Sequence, residues 1–262
     1  MLKTGYELSR EEIIAAYARL GERRGLGPEF IEIALGLAGD LTGRKVLDVG
    51  CGYGELLGAA AKVFPGAEFY GVDFSPDRVI AASLSNVKTL KVDIEAERLP
   101  FPDNFFDAVF CTEVLEHLRA PAGCLGEIRR VVKKSGKVVF SVPNAGGFFP
   151  FNKFSNYIPT AWLRRKLLPY EHPANTDQPV DTCYEYGEIV ALVAGAGFSI
   201  ERGWGWRYFR YLQMLPVLRI FYGIFEARLE RLMNGLALEK YAYNLFLVCS
   251  DAKTGHPDAG QK

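Results

Sequence analysis

The sequence predicts an α/β fold in which a mostly parallel sheet carries helices on both faces. Between residues 45 and 142, short apolar runs typical of buried strands alternate with segments whose apolar residues recur at helical spacing. Strands that alternate with helices are joined by crossover connections, and such connections produce parallel sheets covered on both faces. A glycine-rich turn follows the first strand, where open α/β sheets bind ligands.

The predicted elements follow one another in order along this part of the chain. The first strand, Lys45–Val49, leads through the glycine-rich turn into an Ala- and Leu-rich helix that ends near Phe64. Four further strands are predicted before Pro143, at Glu68–Val72, Val87–Val92, Ala108–Cys111 and Lys137–Val142, with helices at Ser75–Leu84 and Pro121–Lys134.

The segments outside this alternation are predicted to be additions to one domain that spans residues 1–252. Residues 1–39 form a helical cover, which opens with a capping box in which Ser9 precedes Glu12 by three positions. Residues 144–183 contain five prolines and are predicted to form a lid-like insertion. The remaining predicted segments are a helix at Tyr184–Ala196, a strand at Phe198–Gly203, an apolar helical insertion at 207–240, a strand at Tyr243–Cys249 and a disordered tail at 253–262.

Composition and charge narrow the classes of function. Lys and Arg together number 31, as do Asp and Glu, so no overall positive field attracts nucleic acid, and no nucleic-acid partner is expected. The five cysteines are scattered without a CxxC pair, which favours a reducing, cytoplasmic location over a disulfide framework or a zinc site. No run reaches the roughly 18 apolar residues of a transmembrane helix, and the sequence does not separate a monomer from a homodimer.

The turn Gly50-Cys51-Gly52-Tyr53-Gly54 is the strongest candidate for a binding site. Alternate glycines between a strand and a helix let a ligand approach the backbone closely, and the helix start offers free amides. Glu55 occupies the position of the third glycine of the dinucleotide fingerprint, where its carboxylate would repel a diphosphate, so a nicotinamide-dependent dehydrogenase is disfavoured. A cationic ligand meets no such repulsion, and Asp48 could face its positive end.

Acidic residues end the second and third predicted strands. Asp73, with Phe74 beside it, could accept hydrogen bonds from both hydroxyls of a ribose. Asp93 could accept a hydrogen bond from an adenine amino group while the neighbouring Ile94 amide donates to a ring nitrogen.

Thr112 and Glu113 follow the fourth strand and add polar groups at the same edge of the sheet. Asp93 and Thr112 have an alternative interpretation, since either residue could cap a helix or a turn.

Together these motifs resemble those of class I S-adenosylmethionine-dependent methyltransferases, in the branch that includes ubiquinone- and menaquinone-type methyltransferases. The matching segments are DVGCGYG, GVD, VDIEAERLPF, FDAVFCTEVLEHL and GKVVFSVP. The resemblance covers roughly residues 40–145 closely and 184–203 loosely. It implies a Rossmann-like, doubly wound sheet of seven strands, with Phe198–Gly203 and Tyr243–Cys249 as the last two and the final strand antiparallel.

The resemblance implies S-adenosylmethionine as the cofactor, S-adenosylhomocysteine as its product, and a small-molecule methyl acceptor. The expected transfer is to an oxygen, a nitrogen or a carbon atom. Two alternatives on the same fold stay open: an RNA or protein methyltransferase, and a cofactor-binding homologue without activity. The residues expected to bind the cofactor are Asp48, Gly50, Cys51, Gly52, Gly54, Asp73, Phe74, Asp93, Ile94, Thr112 and Glu113.

Candidates for the acceptor side are weaker. His117 could act as a general base for an acceptor hydroxyl, since an imidazole titrates near neutral pH. Tyr170 and His172, in the proline-rich segment, could contact the acceptor. The order Glu113-x-x-Glu116-His117, with the later His172, also resembles the magnesium site of small-RNA 2′-O-methyltransferases. Such strings are widespread in metal-free methyltransferases, so no metal is expected.

The stretch Tyr211–Phe225 is strongly apolar but too short to span a bilayer, and Pro216 interrupts it. Burial against the sheet is the favoured interpretation. The alternatives are a lid over an apolar acceptor pocket and peripheral contact with a membrane or a partner. Both alternatives favour a lipophilic or aromatic acceptor.

Overall fold

The computed structural model describes residues 9, 12–13, 26–75, 87–145, 180, 182, 184–208 and 216–252, and the side chains of the last range from residue 225 onward. The predicted helix after Ser75, most of the lid-like insertion and the tail therefore lie outside the described residues. At the N-terminus, the Ser9 amide donates to Glu12 Oε2 (2.7 Å) and the Glu12 amide donates to Ser9 Oγ (3.2 Å). These reciprocal bonds confirm the predicted capping box.

Seven strands form one sheet in the order β3-β2-β1-β4-β5-β7-β6. The first five pair in parallel, and β7 runs antiparallel to both β5 and β6. The predicted fold class, including the antiparallel last strand, is confirmed. The strands are β1 Lys45–Val49, β2 Glu68–Asp73, β3 Val87–Lys91, β4 Phe106–Thr112, β5 Val132–Pro143, β6 Phe198–Trp206 and β7 Asn244–Asp251.

Helices cover both faces of this sheet, as the alternation predicts. On one face Phe30 and Ala34 of α1 pack with Leu57 of α2. On the other face Leu125 of α3 packs in one cluster with Ile189 of α4. The helices are α1 Pro28–Ala38, α2 Glu55–Val63, α3 Pro121–Val131, α4 Tyr186–Gly195 and α5 Pro216–Gly235, with 3-10 helices at Leu115–His117 and Glu239–Tyr241.

The strand order reverses between β1 and β4, since the chain leaves β3 at one edge and returns beside β1. Such a reversal opens a crevice at the carboxyl ends of the two central strands. The glycine-rich turn after β1 and the segment after β4 both lie at this crevice.

The third helix is shorter and the fifth strand longer than the sequence predicts. The helix ends at Val131, and the strand begins at Val132, which pairs with Phe106 before an irregularity in register. Val131 and Val132 are both buried, and Lys133 bonds to Asp107 at 2.7 Å. This cross-strand ion pair favours extended backbone where the apolar spacing had predicted another helical turn.

The described part of α5 is fastened to the end of β6 through Asn234. Its Oδ1 accepts hydrogen bonds from the Gly205 amide (2.7 Å) and the Tyr208 hydroxyl (2.9 Å). Its side-chain amide donates to the carbonyls of Gly205 and Glu230 (both 2.9 Å). No helix among the described residues is long and apolar enough to cross a membrane.

A buried carboxyl on the same helix should make the stability of the protein depend on pH. Glu230 accepts a hydrogen bond from the Arg207 amide (2.8 Å) and is almost completely buried. Burial raises the pKa of Glu230 to about 7. The folded chain therefore holds a proton that the unfolded chain releases between about pH 4.5 and 7, so this group lowers stability as pH rises through that window.

We expect Glu230→Gln to stabilise the protein by about 3 kcal/mol at pH 8.5 and to change little at pH 4.5, since the pKa rises from 4.5 to about 7 and one pKa unit corresponds to about 1.4 kcal/mol. The amide oxygen of Gln can still accept the Arg207 hydrogen bond, so the variant removes the ionisation alone. Urea unfolding at the two pH values measures the difference. An equal gain at both would contradict titration of Glu230 and indicate a packing effect.

Candidate active site

The glycine-rich turn forms a cradle at the carboxyl end of β1. The amides of Gly50 and Cys51 both donate to the Val72 carbonyl, at 2.8 and 3.0 Å, which fixes the turn against the end of β2. Gly50, Gly52 and Gly54 have φ values of 74°, 53° and 79°. Among the described residues, the nearest neighbour of a Cβ at Gly52 would be Glu55 Oε2, at 3.9 Å, so that part of the structure leaves the space above the turn open to a ligand.

Asp73 joins this turn to the end of β2. Its Oδ2 accepts a hydrogen bond from the Gly52 amide (3.1 Å), and its Oδ1 accepts one from the Ser75 amide (2.9 Å). The side chain is buried. Each carboxylate oxygen has two lone pairs, so a carboxylate can accept more than two hydrogen bonds, including those from ribose hydroxyls. The structure thus brings together two of the elements that the sequence proposed for the cofactor.

Asp48 makes the site favourable for a cation. It is buried at the end of β1, and its pKa is raised well above the usual range, first by burial and then by the negative charges of Asp73 and Glu55. A positive ligand group would reverse this effect by stabilising the ionised carboxylate. Burial raises the pKa of the Cys51 thiol, and the negative charges of Asp48 and Asp73 raise it further. Cys51 is therefore a packing residue of the turn rather than a nucleophile.

Asp93 and Ile94 follow β3, one strand farther from the centre. The Asp93 side chain accepts a hydrogen bond from the Glu95 amide (3.1 Å), which is the turn-capping interaction that the sequence left as an alternative. Ile94 packs against the main core cluster. The Val92 amide donates to the Asp73 carbonyl (2.9 Å), so this turn and Asp73 are held at the same edge of the sheet.

Thr112 and Glu113 lie at the end of β4. Thr112 is buried, and Glu113 has a positive φ of 55°. The Glu113 amide donates to both the carbonyl and Oγ of Ser141 (each 3.1 Å), and Ser141 Oγ donates to Glu113 Oε1 (2.9 Å). Glu113 therefore fastens β4 to β5. Sequence reasoning missed Ser141 because it lies on a different strand, far from Glu113 in the chain.

His117 lies at the end of the 3-10 helix that follows β4. Its Nδ1 is 3.1 Å from the Val180 carbonyl, so this nitrogen carries the proton. Its Nε2 is 3.8 Å from Oε1 of the buried Glu116. The Thr182 amide donates to the Glu116 carbonyl (2.8 Å), so Val180 and Thr182 are both hydrogen-bonded to this 3-10 helix.

Phe74 contacts residues from two distant parts of the chain. Phe74 packs with Ile13 of the N-terminal segment and with Val180, the residue that binds His117. No group of three His, Cys, Asp or Glu side chains suited to a metal ion occurs among the residues that the structure describes. The expected acceptor residues Tyr170 and His172 lie outside them.

An open groove of about 1110 Å³ runs between α1 and α2. We call it the α1–α2 groove. It begins at the glycine-rich turn, where Tyr53, Gly54 and Glu55 line it, and continues to Phe64 at the other end of α2. Most of the remaining lining residues are apolar or small, among them Leu26, Ile31, Leu35, Gly36, Ala59 and Val63. No sequence motif predicted this groove, since its walls come from two helices that only packing brings together.

Comparison with known proteins agrees with this arrangement. A family model described as a methyltransferase domain matches residues 47–140. A ubiquinone biosynthesis O-methyltransferase of Alkalilimnicola ehrlichii is 39% identical over 114 residues, which cover 40% of this chain and 44% of that protein. The match thus spans less than half the length of that relative.

Solved structures share the fold over more of the chain. Phosphoethanolamine N-methyltransferase 2 of Haemonchus contortus, in complex with S-adenosyl-L-methionine, has a TM-score of 0.59 and 18% identity, and the alignment covers 91% of this chain and 56% of that one. The [4+2]-cyclase SpnF has a TM-score of 0.56 and 18% identity, with 95% and 97% of the two chains covered.

The cyclase shows that the fold alone does not determine the reaction. The family assignment instead rests on the matched segment, which contains the cradle, Asp73, the turn after β3 and the segment after β4. Residues 47–140 form a methyltransferase domain of the class I S-adenosylmethionine-dependent type.

Proposed function

We propose that this chain transfers the methyl group of S-adenosylmethionine to an oxygen, nitrogen or carbon atom of a small molecule. The observation that carries the proposal is the combination of an open glycine cradle with the buried carboxyls of Asp48 and Asp73 on one side of it. A ligand for this site must have a nucleoside-like part for Asp73 and a cationic part for the cluster of acids formed by Asp48, Asp73 and Glu55. S-adenosylmethionine has both.

In this proposal each part of the cofactor has its own partners. Asp73 would hold the ribose, and the turn after β3, with Asp93 and Ile94, would hold the adenine. The glycine cradle and Asp48 would face the amino acid portion. When bound, S-adenosylmethionine supplies a methyl group made electrophilic by the positive sulfur.

The remaining work of the chain is to orient the acceptor and to take up its proton. Catalysis by orientation needs only that the acceptor atom be held in line with the methyl carbon. With Nδ1 of His117 donating to Val180, the lone pair of a neutral ring lies on Nε2, which could take up a proton from an acceptor hydroxyl. His117→Gln would test this role, and an unchanged kcat with a hydroxyl acceptor would exclude it.

Calorimetric titration tests the cofactor assignment directly. We expect S-adenosylhomocysteine to bind with micromolar affinity and NADH not to bind, since Glu55 stands beside the helix start that would receive a diphosphate. The bound complex is then tested for methyl transfer to quinols, phenols and lipid-like amines. Cofactor binding without transfer to any of these acceptors would favour a homologue without this activity. Absence of S-adenosylhomocysteine binding would overturn the proposal.

The acceptor, in this proposal, is an aromatic molecule with an apolar substituent. The α1–α2 groove supports this choice, because it starts at the cradle and its lining is mostly apolar. The matched relative from Alkalilimnicola ehrlichii is named for ubiquinone biosynthesis, and a quinol with a hydrocarbon tail fits the same description.

Filling the groove with a larger side chain should raise KM for acceptors with a long apolar tail but not for acceptors without one. A Cβ at Gly36 would meet none of the described residues within 4 Å, so Gly36→Phe can enter the groove without a clash with them, and it removes a glycine from a helix interior. We expect KM for quinols with a hydrocarbon tail to rise at least tenfold, while tail-free quinols and S-adenosylhomocysteine affinity change less than twofold. Gly123→Ala, an open position at the start of α3, is the control. If Gly36→Phe changes the KM for tailed and tail-free quinols by the same factor, the groove does not receive the tail.

A further inference from the structure

The outer side of α5 has an exposed apolar stripe that the methyltransferase site does not use. Phe225, Leu232 and Leu236 are 51%, 57% and 58% exposed, although large apolar side chains are normally buried. Phe225 and Leu232 lie on α5, and Leu236 directly follows it, where its amide still donates to the Leu232 carbonyl (3.0 Å) and continues the helical turn. At 100° per residue, spacings of 7 and 11 residues place the three within about 40° of one another around the helix axis. We call these three residues the α5 stripe.

The stripe is a stable surface rather than a loosely attached end. The inner side of α5 is fixed by Met233, which packs in a cluster with Tyr208 and Ala242, and by the four hydrogen bonds of Asn234. Leu229 lies half-buried against the same cluster. The helix therefore presents its apolar stripe in a fixed orientation.

The exposed charged side chains of the segment 225–241 are all positive. Arg228, Arg231 and Lys240 are exposed in the segment 225–241, whereas its acids, Glu226, Glu230 and Glu239, are half-buried or buried. Glu230 binds the Arg207 amide, and Glu239 accepts a hydrogen bond from the Tyr186 hydroxyl (3.3 Å). Both of these carboxylates are thus directed to partners within the fold, and the exposed charges of the segment are positive.

Tyr241 extends the surface at the end of the segment. It is 37% exposed, and Lys240 Nζ lies 5.1 Å from the centre of its ring. A tyrosine beside a lysine is suited to the boundary between hydrocarbon and water, where the ring is half-buried and both polar ends stay hydrated.

We propose that the α5 stripe docks on an anionic lipid surface, with Phe225, Leu232 and Leu236 entering the apolar layer and Arg228, Arg231 and Lys240 contacting phosphate groups. Apolar side chains on one stripe and exposed cations beside it are the composition of helices that lie in a membrane interface. The interaction is peripheral, and it does not depend on the reaction that the site performs.

Vesicle flotation with the full chain tests the proposal. We expect binding to phosphatidylcholine vesicles that contain phosphatidylglycerol, and weaker binding to phosphatidylcholine alone. Leu232→Ser/Leu236→Ser should lower the partition coefficient about tenfold or more. Arg228→Gln/Arg231→Gln should lower it about tenfold on anionic vesicles only, and high salt should have the same effect.

The control is Leu90→Ser, which removes an exposed apolar side chain on β3, away from both the stripe and the α1–α2 groove, and should leave vesicle binding unchanged. Thermal melting and S-adenosylhomocysteine titration verify that every variant is folded. An equal loss of vesicle binding in Leu90→Ser would overturn the assignment, as would no binding by the parent. A dimer in the absence of vesicles that Leu232→Ser/Leu236→Ser dissociates would also overturn it, because the stripe would then be an interface between two copies of the chain.

Discussion

Asp73→Ala is expected to lower the affinity for S-adenosylhomocysteine by at least about a hundredfold, since a charged acceptor lost from a buried site costs roughly 3 kcal/mol. Two effects combine in this variant. The ribose loses its expected acceptor, and the amides of Gly52 and Ser75 lose the carboxylate that holds them at 3.1 and 2.9 Å. The cradle is therefore weakened together with the ribose site.

Two further variants separate these effects. Asp73→Asn keeps one acceptor oxygen, so it should retain part of the affinity and more of the stability. Asp93→Ala removes a carboxylate that caps the turn after the neighbouring strand, and we expect a loss below about tenfold, the range of a single partly exposed hydrogen bond. Calorimetry measures the affinities, and thermal melting reports the fold. If Asp73→Ala is folded and binds S-adenosylhomocysteine within threefold of the parent, the ribose does not bind at Asp73.

The parts of the site that the sequence predicts are those formed by consecutive residues. The glycine cradle follows directly from the end of β1, and Asp73 from the end of β2, so strand prediction alone places both at one edge of the sheet. The antiparallel last strand came from the family resemblance, and the pairing of β7 with β5 and β6 confirms it.

The parts that the sequence does not predict depend on contacts between distant segments. Ser141 fixes Glu113, and Val180 fixes the His117 ring, yet neither partner belongs to a motif. The early start of β5 has the same origin, because the pairing of Val132 with Phe106 outweighs the helical spacing of the preceding residues. Local sequence patterns do not predict such contacts, because the free energy that stabilises them comes from tertiary packing.

Gly50→Ala should be the most damaging of the single-methyl additions at the cradle. Gly50 has a φ of 74°, and an added Cβ would collide with Cγ2 of Val114, in the segment between β4 and the 3-10 helix. Backbone strain of about 1–2 kcal/mol and overpacking of about 1–3 kcal/mol together predict a loss of roughly 3 kcal/mol in the free energy of unfolding. The same displacement would open the cradle and abolish S-adenosylhomocysteine binding.

A double-mutant cycle with Val114→Ala isolates the collision from the strain. Shortening Val114 makes room for the new methyl group, so the double variant should be more stable than the sum of the single effects by about 1 kcal/mol or more. The left-handed backbone at residue 50 is unchanged, so the rescue should be incomplete. Gly126→Ala, in the interior of α3, where an added Cβ meets no atom of the described part of the chain within 4 Å, should instead gain about 0.5–1 kcal/mol. Strict additivity in the cycle would mean that β1 and β4 do not meet at Gly50 and Val114, and the crevice that holds the cradle would then need another origin.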